Sequence, residues 1–157
     1  MAKKKNKKTS VKIAIVLSRF NNNISGGLLN GALEVLNENN IDDKCVDVVS
    51  CPGAFEIPLT AKNLIKKKKY DAVICLGAVI KGQTAHFEYI SYAVTQGILQ
   101  LNLENNIPVT FGVLTCYNEE QAVKRSSADG KNKGREAALA ALEMISLIAS
   151  GAKQSRK

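Results

Sequence analysis

Ala72-Val-Ile-Cys-Leu-Gly-Ala-Val-Ile-Lys-Gly-Gln-Thr-Ala-His86 decides the fold. Its first nine residues are almost unbroken in apolar types, with no polar residue alternating among them. A strand with one face in water would alternate. An unbroken run suits a central strand buried on both faces, as in a parallel sheet layered between helices. The Gly82-Gln83-Thr84 turn then opens onto helix-like sequence from about Gln83 to Asn105. A strand feeding a helix start leaves free N–H groups and a positive dipole end beside the turn, which suits an anion such as phosphate. His86 is the chain's only histidine and stands at the start of that helix. There it can move protons near neutral pH, or simply fill a surface position.

Working outward, the same alternation of strand and helix continues on both sides. Lys12–Leu17 reads as a strand, followed by apolar residues at helical spacing: Ile24, Leu28, Leu29, Ala32, Leu33 and Leu36. Cys45–Ser50 reads as a second strand, closed by Pro52-Gly53. A helix from about Glu56 would bury Ile57, Ala61, Leu64 and Ile65 and end in Lys66–Lys69, cations that suit a helix C-terminus. Beyond Pro108, Val109–Thr115 is a fourth strand. Helical patterns at Glu119–Ser126 and Lys133–Ile148 follow, split by Asp129-Gly130. The order predicts an α/β fold: a single-domain three-layer α/β/α sandwich around a four-stranded, mostly parallel sheet. An extra N-terminal edge strand is allowed, and the first run fits an edge or the middle.

The 157 residues carry a formal charge of +8, but its location matters more than its size. Residues 1–10 hold five lysines and residues 151–157 hold Lys153, Arg156 and Lys157, with no acid in either segment. Removing those eight from the 22 Lys and Arg leaves 14, against 14 acids, in residues 11–150. The expected organisation is a Lys-rich N-terminal tail (1–10), one neutral domain (11–150) and a basic C-terminal tail (151–157). The tails read either as solvated extensions or as loose, non-specific attachments to polyanions such as nucleic acid. No aromatic residue interleaves with the lysines to stack on bases.

No stretch approaches a membrane span, and Val11–Leu17 lacks the features of a signal peptide. Cys45, Cys51, Cys75 and Cys116 form no C-x-x-C pair, so they read as reduced thiols of a cytoplasmic protein. With one histidine, a metal site is not expected.

In open α/β sheets ligands gather beyond the carboxyl ends of the strands. Here those ends carry Arg19-Phe20-Asn21, Pro52-Gly53-Ala54-Phe55-Glu56, and Lys81 to His86, while the fourth strand contains Phe111. Phe20 could stack on a flat heterocycle or merely cover the sheet edge. Glu56 could bind ligand hydroxyls or stabilise a helix start. Arg125 and Lys133 suit phosphate, although each alone also fits a solvated helix. The convergence on one rim points to a small-molecule site.

Ser18-Arg19-Phe20-Asn21, Pro52-Gly53-Ala54-Phe55-Glu56-Ile57-Pro58, Gly77–His86, Phe111–Thr115, Gln121–Arg125 and Gly130–Gly134 together resemble the 6,7-dimethyl-8-ribityllumazine synthases over about residues 11–150. The resemblance implies a flavodoxin-like sheet and a transferase of the penultimate step of riboflavin synthesis. There 5-amino-6-(D-ribitylamino)uracil condenses with 3,4-dihydroxy-2-butanone 4-phosphate, and phosphate and water are lost. It implies that Phe20, Ala54, Phe55, Glu56, Ala78, Val79, Ile80 and Phe111 bind the pyrimidine and ribityl chain. Gln83, Thr84 and Arg125 would hold the butanone phosphate, His86 would act catalytically, and Lys133 would support the pocket. No cofactor and no metal is implied.

The resemblance also implies a homo-oligomer of pentamers, which can pack into an icosahedral shell, with sites shared between neighbours and riboflavin synthase as a further partner. The short Arg125–Lys133 connection favours the shell-compatible form. Lys81 stands where the family usually has arginine, Glu88 where it usually has aspartate, and Cys116 where a polar residue is usual. The alternative on the same scaffold is a flavin- or lumazine-binding protein without turnover. A flavodoxin-type electron carrier is disfavoured, because Ser18–Asn23 lacks a phosphate loop rich in Gly, Ser and Thr.

Overall fold

The computed structural model describes residues 10–151. Apart from Ser10 and Gly151, the expected tails (1–10 and 151–157) lie outside the described residues, and among the described residues the sheet has four strands with no extra N-terminal edge strand. Four parallel strands, β1 (Ile13–Ser18), β2 (Val46–Cys51), β3 (Ala72–Ile80) and β4 (Val109–Cys116), form one sheet in the order β2-β1-β3-β4. The first run therefore lies inside the sheet, where its β-branched residues are covered on both faces. The helices are α1 (Asn22–Glu38), α2 (Ile57–Ile65), α3 (His86–Asn105), α4 (Glu119–Ser126) and α5 (Lys133–Ser150).

Alternation along the strands divides the core in two. Ile13, Ile15, Ile74 and Leu76 join Leu28, Val35, Ala138 and Ala141 beneath α1 and α5. Ala14, Val16, Val73 and Cys75 join Ile57, Leu64, Val94 and Ile98 beneath α2 and α3. Eight of the nine β3 residues are buried and Ile80 is half-buried, as an apolar run without alternation requires.

Two local expectations are corrected. Helix α3 begins at His86 rather than near Gln83, because Gly82–Ala85 is spent on the bend between strand and helix. The lysine run does not serve α2 as a whole block: the helix ends at Ile65, the N–H groups of Lys66, Lys67 and Lys68 donate to carbonyls of its last turn, and that of Lys69 does not. Lys68 takes a left-handed conformation (φ 53°), and Lys69 Nζ turns away to Asp47 Oδ2 at 2.9 Å. The Tyr70 hydroxyl donates to the same oxygen at 2.6 Å.

Candidate active site

The strands end at different heights, and the difference makes a ledge. Pairing of β1 with β3 stops at Leu17 opposite Leu76, whereas β3 and β4 stay paired to Ile80 opposite Cys116. At about 3.3 Å per residue, Gly77–Ile80 extends roughly 13 Å beyond the last residue of β3 that β1 covers. Beside this ledge the chain leaves β1 under restraint. The Arg19 N–H donates to the Cys51 carbonyl at 2.9 Å and the Phe20 N–H to the Pro52 carbonyl at 3.1 Å. Asn21 then turns the chain with a left-handed backbone (φ 58°, ψ 52°), a conformation asparagine tolerates better than most residues. Its Nδ2 donates to the Ala78 carbonyl at 3.3 Å. This is the β1/β3 position where the chain runs outward in both directions, the usual ligand crevice of such sheets.

A cavity of about 480 Å³ occupies the ledge. Phe20, Ala54, Phe55, Glu56, Ala78, Val79, Ile80, Thr84 and His86 line it, nine of the residues expected from the sequence. Gln83 lies in the same bend, exposed, but is not part of the wall. Asn21, Gly53, Gly82, Phe87 and Ile90 also line it and were not among the expected residues. Asn21 carried a readable signal, a turn-tolerant residue directly after Phe20; Phe87 and Ile90 are apolar positions of α3 and carry none. Phe20 is 71% exposed, too open for an aromatic whose sole task is covering the sheet.

His86 is the first residue of α3, its main-chain N–H 3.4 Å from Thr84 Oγ1. The helix start is pinned on both sides of it. Lys81 continues the β3–β4 ladder by donating its N–H to the Cys116 carbonyl at 2.9 Å. Lys81 Nζ lies 2.9 Å from Glu88 Oε1 and 5.8 Å from the Tyr117 ring centre. The Phe87 ring packs against Tyr117 at 6.0 Å. The hydrogen bond from Lys81, with help from the backbone, holds the Glu88 carboxyl below its ordinary value, and the same bond raises Lys81. The Lys81–Glu88 pair thus closes across the bend at the start of α3.

The remaining expected residues do not join this cavity. Phe111 lies in mid-strand opposite Cys75, not at the rim, and is 43% exposed at the β4 edge of the sheet. With Arg125, Lys133 and Glu136 it lines a second hollow of about 330 Å³. Phe111 therefore does not stand with the strand ends on the rim, since strand membership was readable and depth along the strand was not. Arg125 donates from one guanidinium nitrogen to the Gln121 carbonyl at 3.0 Å, and Lys133 Nζ lies 2.8 Å from Glu136 Oε2.

The Cys51, Cys75 and Cys116 thiols are not set up as nucleophiles. Burial pushes Cys75 far up, and burial also raises Cys51 and Cys116. Among the described residues, no group of three or more His, Cys, Asp or Glu is arranged to hold a metal ion, and no helix is long and apolar enough to cross a membrane. What the chain presents is an aromatic plate, a carboxylate and an imidazole in one hollow, and two cations beside an aromatic in another.

The family model for 6,7-dimethyl-8-ribityllumazine synthase matches residues 10–149, and the chain belongs to that family, whose work lies in riboflavin biosynthesis.

Proposed function

We propose that this member of the lumazine synthase family condenses 5-amino-6-(D-ribitylamino)uracil with 3,4-dihydroxy-2-butanone 4-phosphate, and that each site is completed by two neighbouring chains. The observation that carries this reading is the division of the polar equipment. The larger hollow has the groups for a flat ring, a polyol and proton movement, but its lining includes no arginine or lysine. The smaller hollow has Arg125 and Lys133, but no histidine. Each lacks what the other supplies.

In this reading the pyrimidine lies on Phe20, with its amide edge toward the open side of β3. Ala78 turns its carbonyl to that side, where Asn21 meets it. Ile80, two residues on, presents its own main-chain groups in the same direction. Glu56 accepts from the ribityl hydroxyls. The butanone phosphate sits by Gln83 and Thr84 and is held by Arg125 of a neighbour, with Phe111 and Lys133 closing the pocket. The 5-amino nitrogen attacks the ketone, and water leaves to give an imine. Phosphate is then eliminated, and the ribitylamino nitrogen closes the second ring with further loss of water. His86 carries protons between these steps. Holding two intrinsically reactive partners in register supplies much of the acceleration.

Self-association has independent physical support. Tyr89, Tyr92, Leu99 and Leu103 follow one another at helical spacing along α3 and are 74%, 69%, 49% and 77% exposed. With Gln96 between them they form a stripe of the kind helices bury against one another. A ring of five chains, able to pack into a larger shell, is the assembly proposed. Incubation with both substrates while the absorbance of the lumazine is followed, alongside light scattering, tests the reading. Turnover by a ring-sized or larger particle is expected; tight lumazine binding without turnover would favour a carrier instead.

A further inference from the structure

Asn132 is 1% exposed, although it lies between two surface cations in a polar loop. Its carboxamide is used at both ends. Oδ1 accepts the N–H groups of Gly134 at 2.8 Å and Arg135 at 3.2 Å, capping α5. Nδ2 faces the carbonyls of Ser126 at 2.9 Å, Ser127 at 3.0 Å and Gly27 at 3.0 Å. Two hydrogens thus serve three acceptors, two on the end of α4 and one on α1. Ser126 follows Arg125 directly, and Asn132 precedes Lys133 directly. One buried amide therefore ties together the chain at both cations.

The packing around it provides a second, independent observation. A Cβ on Gly27 would come 2.3 Å from the Ser126 carbonyl oxygen, and one on Gly31 would come 2.3 Å from Asn132 Oδ1. A Cβ on Gly134 would come 1.9 Å from the Leu28 carbonyl oxygen. Gly27 and Gly31 on α1 and Gly134 on α5 let α1 approach the end of α4 and the start of α5 until main chain meets main chain or the Asn132 amide, so a side chain there would displace the joint. A capping residue alone would need only the Oδ1 half of this arrangement.

We infer that Asn132 is a positioning residue for phosphate recognition, setting the spacing between Arg125 and Lys133 through its Nδ2 clamp. The inference rests on the proposed role of these two cations toward the butanone phosphate. Neither cation is oriented by a buried partner of its own, because Arg125 is held by its own helix and Lys133 by exposed Glu136. Their separation is fixed through the backbone, and the backbone is fixed by Asn132.

The test uses the full-length assembled protein and two variants. Asn132→Asp keeps the shape and the α5 cap but removes the donor end. Gly27→Ala adds no charge and presses on the Ser126 carbonyl. Both are expected to fold and to raise the KM for the butanone phosphate about tenfold, while the KM for the ribitylaminouracil and the kcat stay within about twofold. Combining Asn132→Asp with Arg125→Ala should add little to the KM effect of Arg125→Ala alone, because the clamp acts through that arginine.

Equal effects on both substrates, full additivity, an effect confined to the charged variant, or failure of Asn132→Asp to fold would each overturn the inference. Arg125→Ala alone is the control on the underlying reading. If it leaves the phosphate substrate's KM unchanged, the cation assignment has failed. If it raises that KM while Asn132→Asp and Gly27→Ala behave as wild type, only the clamp has failed.

Discussion

At the scale of the residue, His86 is exposed at the first position of α3, on the wall of the larger cavity. A group there can shuttle protons through bound substrate but cannot supply the reaction's intrinsic reactivity. His86→Ala is therefore expected to lower kcat on the order of 10²-fold or less and leave assembly intact. Total loss of turnover in an intact assembly would assign it another task. His86, Phe20 and Glu56 were readable because a lone imidazole, an aromatic and an acid at strand ends are chemically conspicuous. Asn132 was not, since an asparagine in a polar loop looks the same whether it is solvated or carries five hydrogen-bond contacts. Its burial comes from helix α1, more than a hundred residues earlier in the chain.

At the scale of the element, the ledge depends on how closely β1 and β3 approach. A Cβ on Gly77 would lie 2.5 Å from Ser18 Oγ and 3.2 Å from Ile57 Cδ1. Gly77→Ala should cost about 1–3 kcal/mol, seen as a lower urea midpoint at unchanged slope. Ser18 is fully buried, and its hydroxyl has no partner among the described residues. Ser18→Ala should accordingly be neutral or slightly stabilising, and should recover part of the Gly77→Ala loss. A wild-type midpoint for Gly77→Ala would mean that the strands part freely.

The other end of the sheet makes stability depend on pH. The hydrogen bond from Tyr70, and then that from Lys69, hold the Asp47 carboxyl below its ordinary value. A depressed folded value gives stabilisation that is present above the ordinary carboxylate pKa and fades as pH falls below about 4. Tyr70 moves the other way, raised by burial first and by its bond to Asp47 second. Its contribution is present below the ordinary phenol value and fades as pH rises above about 10. Asp47→Asn should flatten the acid limb of a stability–pH profile and weaken the alkaline one. An unchanged acid limb would show that other carboxylates dominate. The elements themselves were legible from apolar periodicity: β3 and α4 have the expected bounds, and the other strands shift by a residue at most. The start of α3 was missed because a bend and a first helical turn are written in the same small polar residues.

At the scale of the whole molecule, two incomplete hollows and an exposed apolar stripe on α3 argue for the same thing, a site that exists only between chains. The resemblance in sequence implies a site shared between neighbours, and the fold puts Phe111, Arg125 and Lys133 around a hollow separate from that of Phe20, Glu56 and His86. Periodicity and composition alone carried no sign of that division, since they name residues without saying which copy of the chain supplies them.

The most direct measurement of the shared site is complementation. Ala54→Trp fills the proposed pyrimidine slot of one hollow, and Arg125→Ala removes the proposed phosphate arginine of the other, so each variant alone should be nearly inactive in lumazine formation. When the two are co-refolded in equal amounts, about a quarter of the interfaces in a cyclic assembly pair two unaltered halves. Activity should recover to about that fraction of the unaltered protein. Mixed assemblies of full size that are no more active than the separate variants would mean that each site lies within one chain, contradicting the account.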